Sequence, residues 1–271
     1  MNILDQIIER KREEVELKKQ LYSTKLLESS IYFKSKCVSL TEYLRRENST
    51  GIIAEFKRKS PSKGVINSAA DVESISIGYM QSAAAALSVL TDGEGFGGSL
   101  EDLQTARKYN FCPILRKDFI IDKYQIIESR SNGADVILLI AAALNEEQCA
   151  KLAAFARSLG LEVLLEIHEE SELRFINQDI SLVGVNNRNL KTFEVSIENS
   201  LSLIELLPKE LPCISESGIH SAKDLVKLRE AGYEGFLMGE RFMKYVNPPA
   251  ELRKFINDVR AIEHNTLVYA D

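Results

Sequence analysis

From about residue 51 onward, short continuous apolar runs alternate with longer stretches in which apolar positions recur at helical spacing. The short runs fall at 52–56, 86–90, 112–116, 136–140, 162–167, 182–185, 213–215 and 235–238. A parallel strand covered on both faces reads as such an unbroken apolar run, because neither face meets water. The helical stretches occupy 71–81, 100–109, 123–131, 145–159, 169–175, 197–206, 222–230 and 249–259. Several of them end at a glycine, as in SNGAD, SLGLE and REAGYEG, where a residue tolerant of positive φ stops the helix before the next strand. Strand and helix alternate eight times over roughly 210 residues, which predicts a closed α/β fold, a (β/α)8 barrel of the TIM type, over an open doubly wound sheet.

Residues 1–50 precede the first strand. Leu4, Ile7, Ile8 and Val15 mark an amphipathic helix at the start, and a second helix is expected near 40–47. No Pro-, Gly- or Ser-rich linker separates them from Gly51, so 1–50 is read as a helical extension packed on a barrel of residues 51–271, one domain in all.

Composition narrows the partners. The 271 residues carry 34 basic and 40 acidic side chains, a net charge of -6, which offers nothing to nucleic acid or an anionic membrane surface. The N-terminal twenty residues lack the apolar core of a signal peptide, and no apolar run is long enough to span a bilayer, so a cytoplasmic address is expected. Cys37, Cys112, Cys149 and Cys213 have no metal-ligand spacing, and with three histidines a Cys/His metal site is not expected. Nothing in the sequence marks a protein partner.

Active sites of such barrels lie at the C-terminal ends of the strands. Side chains alternate along a strand, which places Ile53, Glu55 and Lys57 on one face while Phe56 and Arg58 point the other way. The same rule pairs Leu115 with Lys117 and Leu164 with Glu166, and puts Asn186 and Ser217 just past strands 6 and 7. For any one of these charges the plainer reading is a rim ion pair. Four converging on one mouth favour acid–base chemistry. Arg58, Lys59, Arg116 and Asp118, one step out of register, are assigned to pairing with the surrounding helices. Glycine-bearing turns after strands 7 and 8, SESGI and MGE, suit an anion, with Ser60 of KRKSPSKG as a further hydroxyl. The loop TDGEGFGGS is read either as a plain surface loop or as a lid, the lid being favoured because Phe96 has a companion aromatic in Phe119.

At these residues the sequence resembles the indole-3-glycerol phosphate synthases. The resemblance runs through IIAEFKRKSPSKG, LSVLTD, PILRKDFIIDKYQI, GADVILLI, LGLEVLLEIHEE, VGVNNRNLKTFEV, SESGI and FLMGE, over essentially residues 51–245. It implies conversion of 1-(2-carboxyphenylamino)-1-deoxyribulose 5-phosphate to indole-3-glycerol phosphate, with loss of carbon dioxide and water and without metal or organic cofactor. By the same resemblance Lys117 is the general acid on the ketone oxygen and Glu166 the general base. Glu55 would stabilise charge on the anilino nitrogen, and Lys57 would hold the departing carboxylate and share in proton transfer. Asn186, Arg188, Glu216 and Ser217 would orient hydroxyls and carboxylate. Ser60, Gly218, Gly239 and Glu240 would cradle the phosphate, and Phe96, Phe119 and Leu138 would wall the anthranilate ring. The strand 2 loop, GEGFGGS, is richer in small residues than is usual in the family, which implies looser closure. Two other readings stay open: a phosphoribosylanthranilate isomerase-like barrel, which would use a cysteine and an aspartate at strand ends, and a barrel that binds a phosphometabolite without catalysis.

Overall fold

The computed structural model describes residues 3–189 and 192–268. Leu190 and Lys191 of the NNRNLKTFEV block, and the last three residues of the expected 51–271 span, lie outside the described residues. Eight parallel strands close into a barrel: β1 (Ile52–Phe56), β2 (Ala86–Leu90), β3 (Ile114–Lys117), β4 (Val136–Ile140), β5 (Glu162–Ile167), β6 (Leu182–Asn186), β7 (Cys213–Glu216) and β8 (Gly235–Met238). The ring is completed where β1 pairs with β8, Ile53 opposite Leu237.

Alternation along each strand sorts the apolar residues into two layers. Ile53, Leu115, Leu138, Leu164, Leu182, Ile214 and Leu237 fill the barrel interior. Ala54, Phe56, Ile137, Val163, Val183 and Phe236 point outward and pack with helix residues such as Leu103, Leu152, Leu225 and Phe255.

The strand pattern holds, with shifted ends. Strand 3 starts after Pro113, which has no N–H to give, and runs through Lys117 instead of stopping at Arg116. Strands 6 and 7 each extend one residue further, so Asn186 and Glu216 are the last residues of their strands. The helix expected at 169–175 is instead a 3-10 turn, Glu170–Phe175, and Asn177 Nδ2 donates to the Phe175 carbonyl at 3.1 Å, which closes the turn instead of letting it continue as a helix. The helix expected at 197–206 is α only over Glu198–Leu203 and tightens to 3-10 at Ile204–Leu206, ahead of Pro208. The last helix is longer than expected, Pro248–Val268.

The extension holds helix α1 (Ile3–Leu21), a short turn of helix at Thr24–Glu28 that the sequence pattern does not announce, and helix Leu40–Leu44 in place of the expected 40–47. Leu40 and Leu44 enter the inner core layer and plug the floor of the barrel. Glu162, at the foot of β5, accepts from Ser39 Oγ at 2.6 Å and from the amides of Leu40 and Thr41 at 2.7 and 3.1 Å. A carboxylate at the start of a helix satisfies amides that have no partner within the helix and suits the local dipole.

Candidate active site

All fifteen side chains and glycines expected at the site line one cavity of about 610 Å³ at the C-terminal ends of the strands. Its middle is a carboxylate–lysine cluster. Lys117 Nζ lies 2.5 Å from Glu166 Oε2 and 3.0 Å from Glu216 Oε2. Asn186 Nδ2 donates to the other oxygen of Glu166 at 3.0 Å, and Asn186 Oδ1 in turn accepts the Arg188 amide at 3.0 Å. On β1, Lys57 Nζ is 2.7 Å from Glu55 Oε1. Glu55, Glu166 and Glu216 are all buried.

Burial and charge pull these groups in opposite directions. Burial alone would discharge Lys117, but Glu166, Glu216 and Glu55 overcome it and hold its pKa well above the ordinary lysine value. Burial likewise opposes ionisation of Glu166, yet Lys117 and His168 keep its pKa below the usual range. Glu216 goes the other way: burial, joined by repulsion from Glu166 and Glu55, outweighs Lys117 and raises it. Of the two carboxyls bonded to Lys117, Glu216 is therefore the one that protonates first.

Glycines make room for this cluster. A Cβ on Gly184 of β6 would collide with Glu216 Oε1, and one on Gly239 would run into Glu55. At the rim, Ser217 (φ 66°) and Gly218 (φ 76°) turn the chain after β7. Asn187 holds that turn by donating to the Ser217 carbonyl and to Ser215 Oγ, both at 3.0 Å. Ser60 Oγ is buried with no hydrogen-bond partner among the described residues. Gly239 opens a short helix, Glu240–Met243, whose first turn no side chain caps. Arg188 bridges Ser62 Oγ at 3.4 Å and Glu240 Oε2 at 3.9 Å.

Two aromatic rings also line the cavity. Phe96 and Phe119 sit with ring centroids 6.1 Å apart at an interplanar angle of 40°, and Leu138 lies in the floor beneath. The glycine-rich loop carries a turn of helix. Asp92 caps a turn of helix, Gly93–Phe96, by accepting the Gly95 amide at 2.9 Å. Helix α1 clasps that turn from above: Arg10 reaches Asp92 at 3.0 Å, and the fully buried Lys11 ammonium lies 3.1 Å from Asp92 and 3.0 Å from Asp118. Ile3, Leu4 and Ile7 of α1 line the cavity, a contribution that the helix's own amphipathic pattern does not distinguish from ordinary packing.

The pairing assigned to the out-of-register charges holds for three of four. Arg58 bonds Asp102 on helix Leu100–Tyr109, and Arg116 bonds Asp118 and Glu128, the latter on helix Lys123–Ser131. Lys59 departs from the expectation. Its stem lies against Gly97, and no acidic group among the described residues is within 4.0 Å of its ammonium, because it sits in a two-residue hairpin strand above the mouth. Asn187 and His168 are site-adjacent residues the pattern does not single out. For His168 the available signal is its place two residues beyond Glu166, on the same side of an extended chain.

Comparison with known proteins agrees with this geometry. The family model for indole-3-glycerol phosphate synthase matches residues 4–255. The indole-3-glycerol phosphate synthase of Bacteroides thetaiotaomicron is 49% identical over 259 residues, covering 96% of this chain and 99% of that protein. That of Salinibacter ruber is 45% identical over 257 residues, covering 94% and 95%. Among solved structures, the tryptophan synthase alpha subunit of Legionella pneumophila superposes with a TM-score of 0.61 at 14% identity, over 83% of this chain and 98% of its own. The 3-hexulose-6-phosphate synthase of Salmonella typhimurium superposes with a TM-score of 0.62 at 11% identity, over 78% and 99%. Those two likenesses speak for the barrel alone; the family match and the near-half identity of full-length relatives place this chain in the indole-3-glycerol phosphate synthase family, enzymes of tryptophan biosynthesis.

Proposed function

We propose that the chain closes the indole ring of 1-(2-carboxyphenylamino)-1-deoxyribulose 5-phosphate, releasing carbon dioxide and water, with Lys117 as acid and Glu166 as base. The observation that carries this is the 2.5 Å contact between Lys117 Nζ and Glu166 Oε2 inside a cavity that also offers an aromatic wall and an anion seat. The ammonium protonates the ketone oxygen as the ring carbon bearing the carboxylate attacks the carbonyl carbon. Carbon dioxide then leaves that ring carbon, and the new hydroxyl departs as water as Glu166 removes a proton from the adjacent carbon and the Lys57 ammonium supplies one to the leaving oxygen.

The coupling of the two groups orders these events. While Lys117 is charged, it depresses the basicity of Glu166. Once its proton has gone to the substrate, that depression is lifted and Glu166 becomes the stronger base in the step that needs one. Glu55 offsets positive charge on the anilino nitrogen, and Lys57 holds the carboxylate before it leaves. Asn186, Arg188, Glu216 and Ser217 orient the hydroxyls and the carboxylate. Ser60 Oγ, the turn at Gly218 and the amides at Gly239 and Glu240 seat the phosphate. Phe96, Phe119 and Leu138 flank the anthranilate ring. A reducing, cytoplasmic address belongs to the same proposal, supported by four cysteines that remain free thiols.

The test mixes the purified chain with this substrate, without added metal, and follows the fluorescence of the indole product. Lys117→Ala is expected to abolish turnover with the fold intact, and Glu166→Gln to slow dehydration more than binding. Near-normal rates in Lys117→Ala, with folding verified by circular dichroism, would overturn the assignment.

A further inference from the structure

One largely buried titratable side chain stands against the reacting groups without lining the cavity. His168 lies just past the end of β5, its side chain 12% exposed. Its Nε2 is 3.4 Å from Glu166 Oε1, and its Nδ1 is 3.6 Å from Glu172 Oε2. Neither ring nitrogen has a hydrogen-bond partner among the described residues. A ring buried with both nitrogens unbonded is costly, and a charge on it is offset here by a carboxylate oxygen at 3.4 Å from one nitrogen and at 3.6 Å from the other.

The surroundings fix the backbone on either side of the ring. Glu172 Oε2 also accepts the His168 amide at 2.5 Å, and Asn199 Nδ2 donates to the His168 carbonyl at 3.0 Å. The acidic groups facing the ring come from three elements: Glu166 on β5, Glu172 in the 3-10 turn and Glu216 on β7. Lys117, on the far oxygen of Glu166, is the opposing cation.

We propose that His168 is a positioning residue, an imidazolium wedged between Glu166 and Glu172 that keeps one Glu166 oxygen on Asn186 and the other on Lys117. Burial disfavours the charged ring, but Glu172, Glu166 and Glu216 outweigh it and raise its pKa above the ordinary histidine value. The role deepens the reading of Glu166 as the base and rests on it. The ring acts through that carboxylate, so its loss is felt in base strength and aim and not in a contact with substrate.

Two measurements on the full chain test this. In nitrogen-15 NMR of the three histidines, with the His168 signal identified by its loss in His168→Asn, the ring is expected to carry both protons at pH 7. In Glu172→Gln, which removes one of its carboxylates, it is expected to titrate at lower pH. A neutral ring at pH 7 in the unaltered protein overturns the proposal. In the pH profile of kcat/KM, removing a cation from beside Glu166 makes that group easier to protonate. His168→Asn is therefore expected to move the acid limb upward by about one pH unit. It is also expected to lower kcat about tenfold with a smaller change in KM. A limb that stays in place overturns the proposal, and His168→Gln supplies the same reading if the asparagine variant does not fold. Glu166→Gln separates the two levels. Full turnover in that variant removes the base assignment itself, whereas an inactive Glu166→Gln beside an unmoved limb in His168→Asn removes only the role of His168.

Discussion

At Gly184 a single added carbon would strike Glu216 Oε1 and come within 3.2 Å of Leu164 Cδ1. Gly184→Ala is therefore expected to push Glu216 off Lys117, costing about 1–3 kcal/mol for overpacking and lowering kcat/KM. Urea unfolding and steady-state kinetics check it; unchanged values in both would mean that the neighbouring strand yields freely. Residues of this kind mark the limit of what a sequence discloses. Glu55, Lys57, Lys117 and Glu166 are legible because a strand has a period of two, so a charge in step with an inward leucine or isoleucine has to point at the mouth. Gly184 carries no such mark, since it matters only through Glu216, a side chain with which it shares no periodicity; His168 is in step with Glu166, but nothing in the strand pattern announces Glu172 on its other side.

At the scale of elements, helix α1 earns its place through one ammonium. Lys11 is fully buried with Glu14, Asp92 and Asp118 around it, and it joins the loop carrying Phe96 to the strand end beside Lys117. Lys11→Met is expected to destabilise the protein by about 3 kcal/mol, the low end for breaking a buried ion pair, because Arg10 and Arg116 still serve the two aspartates. It is also expected to raise KM by loosening the aromatic wall. Chemical denaturation and a KM determination decide this, and a variant as stable as the parent would show that the clasp is ornamental. The alternating strands and helices were legible because each apolar run is long and bounded. The 3-10 turn at Glu170–Phe175 and the hairpin of Lys59–Ser60 with Gly64–Val65 were not, since each is only a few residues long and is set by individual hydrogen bonds. The turn of helix that Asp92 caps in the strand 2 loop is equally invisible in a run so rich in glycine.

For the whole molecule, the buried network sets the response to acid. Burial opposes the charge on Asp118, but Arg116 and Lys11 hold its pKa far below the usual carboxylate value. A depressed pKa means that the folded state binds the proton more weakly than the unfolded chain. The stabilisation is thus complete above the unfolded value of about 3.9 and is lost as pH falls below it. Lys11 is shifted the opposite way, with Asp118, Asp92 and Glu14 outweighing burial, so its contribution is intact throughout the neutral range. Stability measured from pH 6 down to pH 2 is expected to fall, and Asp118→Asn to flatten that fall; parallel curves would assign acid sensitivity to other groups. The floor of the barrel has a different consequence. Glu162 ties the lower end of β5 to three donors of the extension, and Glu166 stands near the top of the same short strand. A spar lashed at its base resists sliding along its own axis, so a contact on the barrel floor helps set the height at which the Glu166 carboxylate stands in the mouth.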